Sequence, residues 1–183
     1  MPYVVAALII LAVVCLLNLL LTYGIIRRLR SQSGGHHDPA EDLMLPVDAV
    51  VPEFTARTTT GGTVSRSTVS GGVIAFFSPG CGACEVQLPR FVDLARTLAG
   101  DEDRPVLAVL HGGEEETREH LAALTSVTDV VVEQPDGPIG TAFDVSGYPT
   151  FALIDADGKI TASSFAVNRL PLPAAAASVA RAE

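Results

Sequence analysis

Hydrophobic and polar positions fall in distinct blocks along this chain. Residues Pro2 to Ile26 carry no charged side chain and are dominated by Leu, Val, Ile and Ala. At about 1.5 Å of rise per residue, such a run can cross a bilayer with some tilt, which predicts one transmembrane anchor helix. Arg27, Arg28 and Arg30 form its basic flank, so the anchor with its flank covers residues 1–30. Residues 31–45 are polar, with Gly34-Gly35-His36-His37-Asp38-Pro39 among them, and read as a linker. His36 and His37 are read as solvated linker residues. Residues 46–183 then show the short alternating blocks of one globular domain.

Within that domain, Phe54 to Thr58, Gly61-Gly62 and Thr63 to Ser65 predict a hairpin. Val73 to Phe77 is continuously apolar, as a buried central strand would be. After Cys84, the residues Val86, Phe91, Leu94, Ala95 and Leu98 recur at helical spacing, ending at Gly100. Pro89 lies inside that pattern and is expected to kink the helix. Pro105 to Leu110 predicts a strand. Glu114 to Leu124 predicts a helix, with Glu114, Glu115 and Glu116 at its positive end. A short strand at Asp129 to Glu133 and a helical turn at Pro138 to Phe143 follow. Phe151 to Asp155 and Ile160 to Phe165 form a second hairpin around Asp157-Gly158, and Pro173 to Ala182 a terminal helix. The order predicts an α/β domain, a mixed sheet flanked by helices with an N-terminal hairpin.

Charge narrows the partners. All 21 acidic residues and nine of the 12 basic ones follow Arg30, leaving that part near −12. A surface of that sign excludes nucleic acid as a partner. The apolar segment has neither a basic n-region nor a small-x-small cleavage site, so it reads as an uncleaved anchor contacting the lipid bilayer through residues 2–26. Cys15, within it, reads as a small apolar helix residue; lipidation is the alternative. The three arginines would hold the adjoining domain on the cytoplasmic side by the positive-inside rule.

The chemistry concentrates at Cys81-Gly82-Ala83-Cys84, directly after the apolar strand. A dithiol exchange site needs one accessible thiolate and a second thiol close enough to resolve the mixed disulfide. A C-x-x-C opening a helix supplies both: Cys81 at the N-terminus, where free N–H groups and the macrodipole stabilise a thiolate, and Cys84 one turn inward and shielded. Cys81 is the expected nucleophile and Cys84 the resolving thiol. Pro79 and Gly80 keep the approach to Cys81 narrow. A zinc site would need two more ligands. The domain has no further cysteine, and His111 and His120 are not at ligand spacing. No metal and no organic cofactor are expected; the Cys81–Cys84 disulfide is itself the redox group.

Phe76-Phe77-Ser78-Pro79-Gly80-Cys81-Gly82-Ala83-Cys84, with Pro89 five residues later, resembles the thioredoxin superfamily. The closest likeness is to its membrane-anchored TlpA/ResA group and the related MauD branch, which serves methylamine dehydrogenase maturation. Pro52-Glu53-Phe54 with Gly61-Gly62 resembles that group's N-terminal hairpin, Val145 to Thr150 its cis-proline loop, and Leu153 to Gly158 its following strand and turn. The likeness spans roughly residues 46–183. It implies a thioredoxin-like fold, a protein-disulfide reductase or isomerase activity, and a cis Pro149 beside Cys81. It also implies that Gly147 and Tyr148 offer backbone to an extended client segment. Partners would be client protein thiols and disulfides and an upstream electron donor, for which a membrane-embedded protein is a candidate. It places the domain outside the cytoplasm, against the arginine rule, and extracytoplasmic is the expectation adopted.

Three departures stand out. Gly80 replaces the tryptophan usual before the first cysteine, Ala75 the buried acid, and Gln87 a glutamate. Gln87 can orient a water or a thiol, yet cannot take a proton. These fit cytochrome c maturation poorly and the MauD-like branch better. Two other classes remain. Peroxide reduction is suggested by Ser78, three residues before Cys81, but Ile74 stands where a proline would be expected. A non-enzymatic copper-handling role would use the same two cysteines, whereas a redox-inert assembly scaffold would need neither.

Overall fold

The computed structural model describes Leu11, Cys15, Leu16 and residues 43–99 and 104–172. The chain divides into two compact units, Met1–His37 and Asp38–Glu183, and the elements below belong to the second. Among the described residues no helix is long and apolar enough to cross a membrane. The expected anchor over residues 2–26, save Leu11, Cys15 and Leu16, lies outside the described residues, as do most of the linker and the terminal helix at 173–182.

A two-stranded antiparallel hairpin, β1 (Thr55–Arg57) and β2 (Thr63–Ser65), comes first. A short helix α1 (Arg66–Val69) follows. Then come β3 (Val73–Phe77), the long helix α2 (Gly82–Leu98), β4 (Val106–His111), α3 (Glu114–Leu124) and β5 (Asp129–Glu133). The short α4 (Pro138–Ala142), β6 (Thr150–Ile154), β7 (Ile160–Ser164) and a 3-10 turn at Val167–Arg169 complete the described fold. The five-stranded sheet has the order β5-β4-β3-β6-β7. β3 runs parallel to β4 and antiparallel to β6, so the sheet is mixed, as the element order predicts.

β3 is central because nothing in it needs water. All five residues are buried, and their side chains alternate between two cores. Val73, Ala75 and Phe77 face a cluster with Phe91, Leu94 and Leu98 of α2, Leu124 of α3 and Phe151 of β6. Ile74 and Phe76 face a second cluster with Phe54 and Val64 of the hairpin region, Ile139 of α4, and Phe143. The long helices thus cover one face, and the hairpin and α4 the other. α2 continues through Pro89 to Leu98. The packing of Phe91, Leu94, Ala95 and Leu98, all buried, offsets the hydrogen bond that the proline forfeits. The acid cluster opens α3, where Glu116 accepts the Gly113 N–H at 3.0 Å, one of the orphan donors of that end. The short helix α1 and the 3-10 turn are elements that periodicity does not predict, because four and three residues hold only about one repeat each.

Phe77 packs edge-on against Phe91 and Phe151, with centroids 5.5 Å and 5.6 Å away. Phe77→Ala is expected to lower unfolding free energy by about 3–5 kcal/mol, read from urea denaturation of the purified protein.

Candidate functional site

β3 ends at Phe77, and the next four residues turn into α2. Gly80 sits at φ +71°, a left-handed conformation that a glycine adopts without strain. The turn delivers Cys81 as the N-cap of α2 with extended backbone, so the helix proper starts at Gly82. Cys81 is half-buried and Cys84 is fully buried; both are free thiols. The Cys81 sulfur accepts the Cys84 backbone N–H at 3.3 Å, a donor that would otherwise be an orphan of the first turn.

The second wall comes from far away in sequence. Because β6 is antiparallel to β3, with Thr150 opposite Phe76, the residues entering β6 arrive at the end of β3 from which α2 departs. The Tyr148–Pro149 bond there is cis. The Cys81 S–H donates to the Tyr148 carbonyl at 3.5 Å. Gly147 precedes it, its carbonyl accepting the Thr150 hydroxyl at 2.7 Å. Cys81, Cys84, Gly80, Tyr148 and Pro149 are therefore gathered at one edge of the sheet. Gly82, Ala83 and Val86 are exposed beside them, with the charged Glu85 exposed on the same first turn of α2.

Pro79 and Gly80 also border a cleft of about 540 Å³, with Gly112, Glu116, Gln134 and Pro135 across from them. The Gln87 side-chain oxygen accepts the Val167 N–H at 3.1 Å, tying α2 to the 3-10 turn. Pro89 is exposed on α2, two turns from Cys81. Ser78 is likewise engaged, its hydroxyl donating to the His111 carbonyl at 3.3 Å.

Burial pushes the Cys84 thiol up from 9.0 to about 12, and its hydrogen bond with Cys81 adds to the rise, while a backbone hydrogen bond with Ser78 works against it. Burial also raises the Tyr148 phenol, followed by the nearby charges of Glu133 and Cys84. At neutral pH Cys84 is a protonated thiol without exposed surface.

One group escaped the sequence reading. His111 Nδ1 is hydrogen-bonded to the Tyr148 hydroxyl and its Nε2 is 3.0 Å from Glu133. The signal was faint but present: a polar residue closes the apolar strand Val106–His111 and another follows the apolar run Val130 to Val132, and the carboxyl ends of parallel strands are where α/β sheets gather chemistry.

The AhpC/TSA family pattern matches residues 47–163, well over half of the chain. The chain belongs to the AhpC/TSA family. Solved structures share its fold. A protein provisionally described as a thioredoxin from Neisseria meningitidis is 27% identical, with a TM-score of 0.53 over 62% of this chain and 77% of its own. One provisionally described as a thiol:disulfide interchange protein DsbE, from Chlorobium tepidum, is 24% identical, with a TM-score of 0.54 over 66% and 85%. StoA from Bacillus subtilis is 18% identical, with a TM-score of 0.53 over 64% and 90%. No curated protein matches the sequence at a significant level. This AhpC/TSA member therefore has the thioredoxin-like α/β fold that its motifs imply.

The buried thiol gives a pH signature. A folded-state value of about 12 above an ordinary 9.0 means that the folded protein keeps a proton the unfolded chain sheds. The contribution is fully present below pH 9 and is lost as pH rises towards 12. The thermal midpoint of the reduced protein is expected to fall more steeply across that window than that of Cys84→Ala, measured by circular dichroism with reductant present.

Proposed function

We propose that this protein is a membrane-tethered thiol–disulfide oxidoreductase that reduces or isomerises disulfides in client proteins. The observation that carries the reading is the pairing of a half-buried Cys81 at a helix N-cap with a fully buried Cys84, against the Tyr148–Pro149 segment. An accessible attacker and a protected resolver are what two-step exchange requires. The Cys81 thiolate attacks one sulfur of a client disulfide. The Cys81–client mixed disulfide forms, and the other client sulfur leaves as a thiolate and takes up a proton. Cys84 then gives up its proton and attacks Cys81. The Cys81–Cys84 disulfide closes, and the second client thiol is released. Two electrons and two protons have passed to the client, and an upstream donor must return them.

Substrate contact falls to the residues around Cys81. Tyr148 and Gly147 offer backbone to an extended client strand, and Pro79 and Gly80 form the opposite rim, free of bulky side chains. Gln87 and Pro89 support the site through α2. No organic cofactor or metal takes part. The MauD-like branch suits the Ser-Pro-Gly entry to the motif and the missing tryptophan. A direction favouring reduction suits the uncharged Gly82-Ala83 pair, which adds no charge to stabilise a thiolate. A peroxide reductase is the competing enzyme class, and the Ser78 hydroxyl, committed to the His111 carbonyl, is turned to another partner in the described structure.

With a disulfide-bonded model peptide, wild type is expected to open the peptide disulfide. Cys84→Ser should stall as a mixed disulfide, and Cys81→Ser should form none, both read by non-reducing mass spectrometry. Hydrogen peroxide consumed one-for-one through Cys81, with the peptide untouched, would select the competing class.

The membrane tether rests on residues 2–26, and the extracytoplasmic side on the family likeness, against the three arginines. In intact cells of a Cys15→Ala strain, a membrane-impermeant maleimide is expected to label Cys81 after reduction. Labelling only after lysis would put the domain in the cytoplasm and end the case for exported clients.

A further inference from the structure

His111 closes β4 and Glu133 closes β5, and the parallel register sets the two residues opposite one another. Both side chains are buried, 0% and 6% exposed. Buried groups of this kind are costly unless fully partnered, and here each has its partners. Glu133 takes the backbone N–H of Ile139 at 3.2 Å and of Gly140 at 2.7 Å, besides facing His111 Nε2 at 3.0 Å. Accepting from all three, the carboxylate assigns the ring hydrogen to Nε2. Nδ1 is then an acceptor, and the Tyr148 hydroxyl donates to it. The two rings meet edge-on at 5.2 Å.

The surrounding backbone is shaped around this chain of bonds. A Cβ at Gly140 would lie 2.6 Å from Cε1 of His111, and one at Gly137 would lie 2.6 Å from the Glu133 carboxyl carbon. Side chains at either position would push the chain apart. At its far end stands the residue whose carbonyl receives the Cys81 S–H. Tyr148 is thus held at both ends, by its hydroxyl in the sheet and by its carbonyl on the thiol.

We propose that Glu133 and His111 are positioning residues of the dithiol site, acting on Cys81 through Tyr148. The proposal rests on the thiol–disulfide reading of that site. With the phenol anchored, the Tyr148 carbonyl stays against Cys81 and stabilises the protonated dithiol. With the anchor cut, the carbonyl is free to withdraw. Cys81 then loses an acceptor that holds its proton, and the dithiol form loses a hydrogen bond that the disulfide never had.

Tyr148→Phe removes only the hydroxyl. In the reduced, full-length protein, Cys81 alkylation by iodoacetamide at pH 7 is expected to rise about threefold or more. The equilibrium with glutathione should move towards the Cys81–Cys84 disulfide by a similar factor, the scale of one lost hydrogen bond. Glu133→Gln, two links away, should move both in the same direction by about twofold. A purely structural role would lower the thermal midpoint and leave both readouts alone. Wild-type values of both in whichever of these variants retains the wild-type circular dichroism overturn the proposal. The functional reading fails separately: wild type would then show no dithiol–disulfide equilibrium with glutathione, while alkylation, which needs no redox partner, still decides the role of Glu133 and His111.

Discussion

The site depends on a strand that cannot be exposed on either side. Val73 to Phe77 puts apolar side chains into two cores, so β3 must lie at the centre of the sheet with layers above and below. Its neighbours then decide where the chemistry collects. A parallel β4 ends at the same edge as β3, and an antiparallel β6 begins there. Three segments distant in sequence, those around Cys81, His111 and Tyr148, are therefore delivered to one edge. None has to reach for the others.

The two thiols differ because the helix begins between them. Cys81 is the cap, outside the regular turn and half-open, while Cys84 is inside it and faces Phe77, Phe91 and the rest of the core below α2. The burial that raises Cys84 to about 12 also protects it from stray reagents. In the proposed exchange its proton must leave before it can act, and a mixed disulfide at Cys81 would replace the thiol that shares a hydrogen bond with Cys84 and so alter the environment holding that proton in place.

The Glu133–His111–Tyr148 chain shows how the sheet edge imposes order on a loop. Strand register fixes His111 opposite Glu133, the first turn of α4 satisfies the carboxylate, and the imidazole hands that rigidity on to the tyrosine. Loops on their own fix a carbonyl poorly. One pinned through its side chain to two strands and a helix can hold it against a sulfur atom.

Much of this was legible without coordinates, wherever the cause is local. The continuous run at Val73 to Phe77, the 3.6-residue spacing from Phe91 to Leu98 and the glutamates opening α3 each state their own secondary structure. The C-x-x-C after a strand carries the proposed dithiol chemistry. α1 is too short to show a period, and Gln87 gave no sign that its oxygen would be taken by a backbone N–H eighty residues away. The amino-acid sequence alone determined the α/β class, the order of the longer elements and the C-x-x-C opening a helix, because periodicity and motif spacing act over a few residues, while the cis Pro149 beside Cys81 was implied only by the family resemblance. Only the tertiary structure decided that His111 meets Glu133 and Tyr148, because that contact depends on how β4 registers with β5 and on which face of the sheet the odd-numbered residues of β4 occupy.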